Sequence, residues 1–192
     1  MNHYEYNELP PLHIFLVKEE EVRPENHAAI QKLLVNAFPQ YEDIFGKSSY
    51  WGARPTHRLW MEMESGEIIA HLDFEPRKVR VGTNTILIAG IGEVATHPGF
   101  HHRGLGRRLM NELDKILRTI IPVEFGYLQC RPAVLGFYTR VGWHLVTNKV
   151  QYIDPDTGSL TIDKESHSVV LPALSAIHRW PKGLIDLLGM PW

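Results

Sequence analysis

The sequence holds a single cysteine, Cys130, so no disulfide can close within one chain. This lack argues against a disulfide-stapled secreted domain and is compatible with a reducing compartment. No apolar run approaches the roughly 18 residues that a bilayer-spanning helix needs. Excess charge is missing as well: 20 Lys and Arg against 22 Asp and Glu leave a net charge of −2, with no general affinity for nucleic acid or an anionic membrane. Residues 1–13 lack the basic-then-apolar pattern of a signal peptide, and the expected location is cytoplasmic. Repeats, low-complexity tracts and long linkers are absent too. What is present is the composition of a globular protein, 44% hydrophobic and 22% charged. The length suits one domain, with a core over about 12–172 and a tail over 173–192, burying roughly 70% of the extended chain's surface.

Periodicity alternates between short strands and helices. His13 to Val17 reads as a strand. Pro24 opens a helix on which Ile30, Leu33, Leu34, Ala37 and Phe38 recur at helical spacing, and Pro39 stops it. Tyr41 to Pro55 has no period and reads as a loop with room for one helical turn. Arg58 to Met63, Ile68 to Val81 and Thr85 to Thr96 read as strands joined by turns at Glu64-Ser65-Gly66 and Gly82-Thr83-Asn84. The last of these is nearly continuous in apolar residues, as a strand covered on both faces should be. An amphipathic helix then carries Leu105, Leu109, Leu113, Ile116 and Ile120. Val123 to Cys130 is a further strand, Pro132 to Val141 a helix, His144 to Ile153 a strand, and Ser166 to Leu171 a last strand. The expected class is mixed α/β (α+β).

The segment from His97 to Arg108 joins the buried strand to the amphipathic helix. Gly104 and Gly106 permit close backbone approach, and the first helical turn has N–H groups without internal partners. With the positive end of the helix dipole these form an anion site, and Arg103, Arg107 and Arg108 suit it to a diphosphate. Two glycines can also simply make a tight turn; the strand before and the helix behind supply the context a phosphate site requires. No Gly-Lys-Ser/Thr follows, so this is not a Walker loop. The missing third glycine and the preceding hairpins also make it a poor dinucleotide fingerprint.

Val94-Ala95-Thr96-His97-Pro98 followed by Arg103-Gly104-Leu105-Gly106 resembles motif A of the GCN5-related N-acetyltransferases (GNAT). His101 stands where the family has Gln or Arg. A second signature, Leu135-Gly136-Phe137-Tyr138 through Gly142-Trp143, resembles that family's Phe-Tyr-x-x-x-Gly-aromatic helix. The resemblance implies a central, mostly antiparallel sheet splayed between its fourth and fifth strands, with helices on its flanks. It also implies acetyl-coenzyme A (acetyl-CoA) as donor. The pantetheine arm would meet Val94, Ala95 and Thr96, and the diphosphate would lie on His101, His102, Arg103, Gly104, Leu105 and Gly106, with Arg107 and Ala133 alongside. Glu67-Ile68-Ile69-Ala70-His71 and the Trp-containing tail are similar to aminoglycoside 2'-N-acetyltransferases. Trp51-Gly52-Ala53-Arg54-Pro55 and Arg179-Trp180-Pro181 are similar to nodulation N-acyltransferases. Both act on amino groups of sugars. Homodimers are frequent among such proteins.

Acyl transfer to an amine needs a base for the incoming ammonium and benefits from an acid for the leaving thiolate, whose thiol has a pKa of about 8.5. Tyr138 occupies the family's position for the acid; otherwise it is a packed helix tyrosine. Glu93 is a carboxylate in an apolar strand, where burial raises its pKa, and is the candidate base unless it is a paired structural group. A bulge near Gly92 would change which residue faces the substrate. His97, His101 and His102 straddle a turn without acidic or Cys partners at ligand spacing, so no metal is expected. His71 reads as a satisfied core histidine, and Cys130 lacks a His partner for covalent catalysis. For the acceptor, Tyr41, Glu42, Asp43, Gly92, Gln129, Asp163, Glu165 and Trp192 are candidates, with Trp51 and Trp180 as stacking walls suited to a cationic amine. The expected function is N-acetyl transfer to a small cationic amine or amino sugar by direct attack. Transfer to a protein or peptide amine and a non-catalytic acyl-CoA sensor are the alternatives.

Overall fold

The computed structural model describes residues 11–163 and 165–192, so most of the segment read above for a signal peptide lies outside it. Among the described residues, ten strands form one continuous sheet. Strand β1 (Leu12–Lys18) pairs antiparallel with β2 (His57–Met63), β2 with β3 (Ile68–Val81), and β3 with β4 (Asn84–Thr96). Strand β5 (Phe125–Cys130) joins β4 in parallel, and the remaining strands are β6 (His144–Val146), β7 (Val150–Ile153), β8 (Leu160–Asp163), β9 (His167–Pro172) and β10 (Ile185–Asp186). The order is β6-β9-β5-β4-β3-β10-β7-β8, with β2 and β1 branching from β3. Strand β3 is long enough to serve two neighbours, pairing β2 over Ile68–Phe74 and β10 at Arg80 and Val81. Because β6 and β7 are separated by only 147–149 yet sit far apart in the order, the sheet curls round on itself.

Helix α1 (Pro24–Ala37) starts on Pro24, whose missing N–H is no loss in a first turn, and buries Ile30, Leu33 and Leu34. The short α2 (Glu42–Phe45) is the one helical turn expected in the early loop. Helix α3 (Leu105–Thr119) buries Leu105, Leu109, Met110, Leu113, Ile116 and Leu117 on one stripe. The two long helices lie on opposite faces. Along β2, Leu59 and Met61 join the core around α3, whereas the intervening Trp60 joins Ile30, Leu33 and Leu34 of α1, as period-two alternation requires.

Four assignments change, the first being β8, which the sequence reading lacked. The stretch 144–153 is two strands, because β6 pairs β9 at one edge while β7 pairs β8 and β10 at the other. Residues 167–172 are not the last strand: β10 inserts between β3 and β7, with only two residues and no periodicity to betray it. The stretch 132–141 is a single 3-10 turn at Pro132–Val134 followed by helix α4 (Leu135–Arg140).

Candidate active site

Strands β4 and β5 are bonded only over Ile88–Gly90 and Phe125–Tyr127. Beyond that short ladder, Ile91–Thr96 stays with β3 and Leu128–Cys130 stays with β9, so the two strands part. A cleft of about 900 Å³ opens between them. Its walls are the diverging strand ends, the N-terminus of α3, the α4 residues Phe137, Tyr138 and Arg140, and an apolar patch of Ala37, Phe38, Ile44 and Phe45.

At the α3 end, His102 (φ 63°) and Gly104 (φ 78°) adopt left-handed backbone. The first helical hydrogen bond runs from the Arg108 N–H to the Gly104 carbonyl, which leaves the Leu105, Gly106 and Arg107 amides free for an anion. A Cβ on Gly106 would stand 3.1 Å from the Phe137 ring, which would have to yield by a few tenths of an ångström to admit it. His101 Nε2 lies 3.1 Å from the Thr96 carbonyl and ties the turn to the end of β4. These residues fit a diphosphate. His101, His102, Gly104, Leu105, Gly106 and Arg107 line the cleft with Val94, Ala95 and Thr96. Arg103 does not; its guanidinium lies over the Phe100 ring, 5.4 Å from the centroid. Ala133 also falls outside, exposed on the 3-10 turn, and its neighbour Val134 lines the wall instead.

Glu93 and Tyr138 also line the cleft. Between His71 and Asp73 of β3, β4 advances three residues, from Ala95 to Gly92, and this bulge carries Glu93 at φ 46°. For a residue with a side chain that conformation costs about 1–2 kcal/mol. The bulge anticipated near Gly92 thus falls on Glu93 itself. One carboxylate oxygen accepts the Trp51 N–H at 2.9 Å. Burial pushes the Glu93 carboxyl up to about 7, against the opposing pull of the Trp51 amide and Arg58. Tyr138 is buried, with its ring 5.9 Å from that of Trp143. Burial and the neighbouring Cys130 push its hydroxyl above the ordinary tyrosine value, which keeps it protonated.

At the far end the chain returns. Trp192 packs on β4 where β5 leaves it: a Cβ on Gly90 would come within 2.2 Å of the indole, and one on Gly92 within 3.0 Å of the Trp192 carbonyl carbon. The indole N–H donates to Glu75 at 2.9 Å, and the Arg77 guanidinium stacks 4.4 Å from the ring centroid. Tyr41, Trp51, Gly92, Gln129 and Trp192 line the cleft, and so does Asp156, which carried no sequence signal beyond its turn. Glu42 and Asp43 are exposed in the first turn of α2, outside the cleft. Asp163 is also outside, accepting hydrogen bonds from the Gln129 amide and from the Glu165 and Ser166 N–H groups. Glu165 is exposed on that turn, and the partly buried Trp180 is stacked on Tyr127 against the core.

Sequence reading missed the buried charges behind the cleft. Arg58 is wholly buried, with Nε donating to Glu19 at 2.6 Å, Nη1 to Asp73 at 3.0 Å and to the Ser49 carbonyl at 2.7 Å. Nη2 donates to Ser49 Oγ at 3.0 Å and to Glu19 at 3.3 Å. These contacts engage all three guanidinium nitrogens. The signal was an arginine directly before the apolar run Leu59-Trp60-Met61.

The family model described as nodulation protein A (NodA) matches residues 12–189. Among individual sequences, the chain is 27% identical to "Nodulation protein A" of Azorhizobium caulinodans over 78% of its own length and 66% of that protein. It is 29% identical to "Uncharacterized N-acetyltransferase ycf52" of Gracilaria tenuistipitata over 48% of its length and 54% of the other. The matched stretches thus span about two thirds and about half of these relatives. The fold is that of the GNAT N-acetyltransferases. The Escherichia coli GNAT-family protein YhbS, crystallised with CoA, superposes with a TM-score of 0.61 at 20% identity, covering 95% of this chain and 93% of that one. An acyl-CoA N-acyltransferase from Pseudomonas aeruginosa gives 0.57 at 15% identity, covering 84% and 99%.

Proposed function

The chain belongs to the nodulation protein A family, and on that premise we propose that it is an N-acyltransferase moving an acetyl group from acetyl-CoA to the amine of a small cationic or amino-sugar acceptor. One observation carries the reading. The cleft where β4 and β5 part has free helix amides at one end and, in its walls, a carboxyl poised near neutrality and a protonated phenol.

The amides of Leu105, Gly106 and Arg107 would hold the donor's diphosphate, and the edge of β4 over Val94–Thr96 its pantetheine arm. Bound there, the donor supplies an activated acyl group. Glu93 takes a proton from the acceptor ammonium, freeing the nitrogen lone pair to form the C–N bond as the C–S bond breaks. The Tyr138 hydroxyl donates its proton to the departing sulfur and is restored by the second proton, which the acylated nitrogen releases as the amide forms. The surroundings that disfavour a phenolate also disfavour a free thiolate, which keeps this transfer feasible. The acidic Glu93 and the indoles of Trp51 and Trp192 suit a cationic amine.

The test is thiol release from acetyl-CoA by purified protein across glucosamine, an aminoglycoside, spermidine and a lysine peptide. Release with the amino sugars supports the reading, and release with the peptide alone would favour a protein amine. CoA binding without release against any amine would favour a sensor. The patch of Ala37, Phe38, Ile44 and Phe45 supports a second reading, an acyl group longer than acetyl. A higher kcat/KM with octanoyl-CoA than with acetyl-CoA would select it.

A further inference from the structure

The left-handed bulge at Glu93 has to be held by something, and the ladder cannot do it, because a bulge leaves main-chain groups without strand partners. Side chains from the facing strand take over. The Asp73 carboxylate lies against the Gly92 main chain, its Oδ1 2.8 Å from where a Cβ on Gly92 would stand, and the Glu93 carbonyl lies 3.1 Å from His71 Nδ1. His71 and Asp73 are two apart on β3 and so project to the same face. Arg58 joins them, its Nη1 lying 3.0 Å from Asp73 Oδ2 and 3.4 Å from His71 Nε2. The guanidinium is anchored from behind by Glu19 and Ser49.

We infer that His71 and Asp73, tied together by Arg58, brace the bulge and thereby hold the Glu93 carboxylate toward the cleft. They are positioning residues: neither lines the cleft, and both act through the main chain of β4. The inference rests on Glu93 being the base. It also fixes a tautomer. The Glu93 carbonyl can only accept, so Nδ1 carries the hydrogen, and a neutral ring then turns the Nε2 lone pair toward the guanidinium cation. Burial and Arg58 both hold the His71 pKa well below the usual value, in keeping with that state. The charged and titratable groups around Glu93 are Arg58 from β2, His71 and Asp73 from β3, Glu19 before α1 and His27 on α1. Tyr41, Cys130 and Tyr138 line the same cleft.

The brace is tested by NMR on protein labelled with 15N-histidine and 13C-glutamate, with turnover of acetyl-CoA and glucosamine measured beside it. His71 is expected to be neutral with hydrogen on Nδ1 from pH 6 to 9. An asparagine side chain reaches about as far as Nδ1, and a glutamine about as far as Nε2. His71→Asn should therefore keep the Glu93 midpoint, whereas His71→Gln should move it by about one pH unit and lower kcat on the order of tenfold to a hundredfold at unchanged donor KM. Hydrogen on Nε2, a charged ring at pH 7, or equal midpoints in the two variants would overturn the brace, even if His71→Leu fails to fold. Undiminished turnover of Glu93→Gln overturns the base assignment and this inference with it. An inactive Glu93→Gln combined with the wrong tautomer overturns the brace alone.

Discussion

At the donor end of the cleft a single stretch, His97 to Arg108, supplies the strand exit, the turn and the free amides. At the proposed acceptor end Trp51, Glu93 and Trp192 come from three remote parts of the chain, and Arg58, His71, Asp73 and Glu19 lie behind Glu93. The first end is backbone chemistry, set by glycine and helix geometry. The second is side-chain chemistry that exists only once the sheet has curled. Damage should therefore spread differently from the two ends: local loss of donor affinity from one, loss of proton transfer and packing from the other.

The sharpest way to break this contrast is Glu93→Gln, for which kcat/KM should fall about 100-fold or more while CoA affinity holds. In the unaltered protein, kcat/KM should rise with pH along an acid limb centred near 7, because the base works unprotonated. The same carboxyl has a stability signature. Its folded-state pKa is raised, so the stabilising contribution is complete below about 4.5 and is lost as pH climbs through 7. The Tm of Glu93→Gln should accordingly exceed that of the parent at pH 8 by at least about 2 °C, with no gain at pH 4. An acid limb unchanged by the substitution would remove Glu93 from the chemistry.

Tyr138→Phe should lower kcat at least about tenfold without lowering Tm, since the ring packing is retained. Equal turnover would make Tyr138 a core residue only. At the donor end, Gly104→Ala must adopt φ 78°, and calorimetry should find CoA binding weaker by on the order of tenfold, about 1.4 kcal/mol, with the acid limb unmoved. A shifted limb would mean that the two ends are not separable. The last effect is on packing and leaves the chemistry untouched. Gly90→Ala drives a Cβ into the Trp192 indole and should cost about 1–3 kcal/mol in urea unfolding, a penalty that Trp192→Ala should partly relieve in the double variant.

The same contrast explains what the sequence made legible. The glycine turn, the buried fourth strand and the α3 stripe could be read because each is a contiguous pattern with one physical cause. Glu93 stood out as an acid among apolar neighbours, although its left-handed conformation could not be read from residue types. The acceptor acids were the opposite case. Glu42, Asp43, Asp163 and Glu165 sit near turns, where their side chains face solvent or cap main-chain amides, and nothing local separates such acids from ligands. Arg58 and Asp73 could be seen only as charges inside strands, since their pairing depends on the register of β2 against β3. Strands β8 and β10 were missed because four and two residues carry too little period to compete with loop composition.

A crystal structure grown with CoA puts the main proposal at most direct risk. The diphosphate should rest on the Leu105, Gly106 and Arg107 amides, with the sulfur between Glu93 and Tyr138. CoA bound elsewhere, or a sulfur directed away from that pair, would contradict the account.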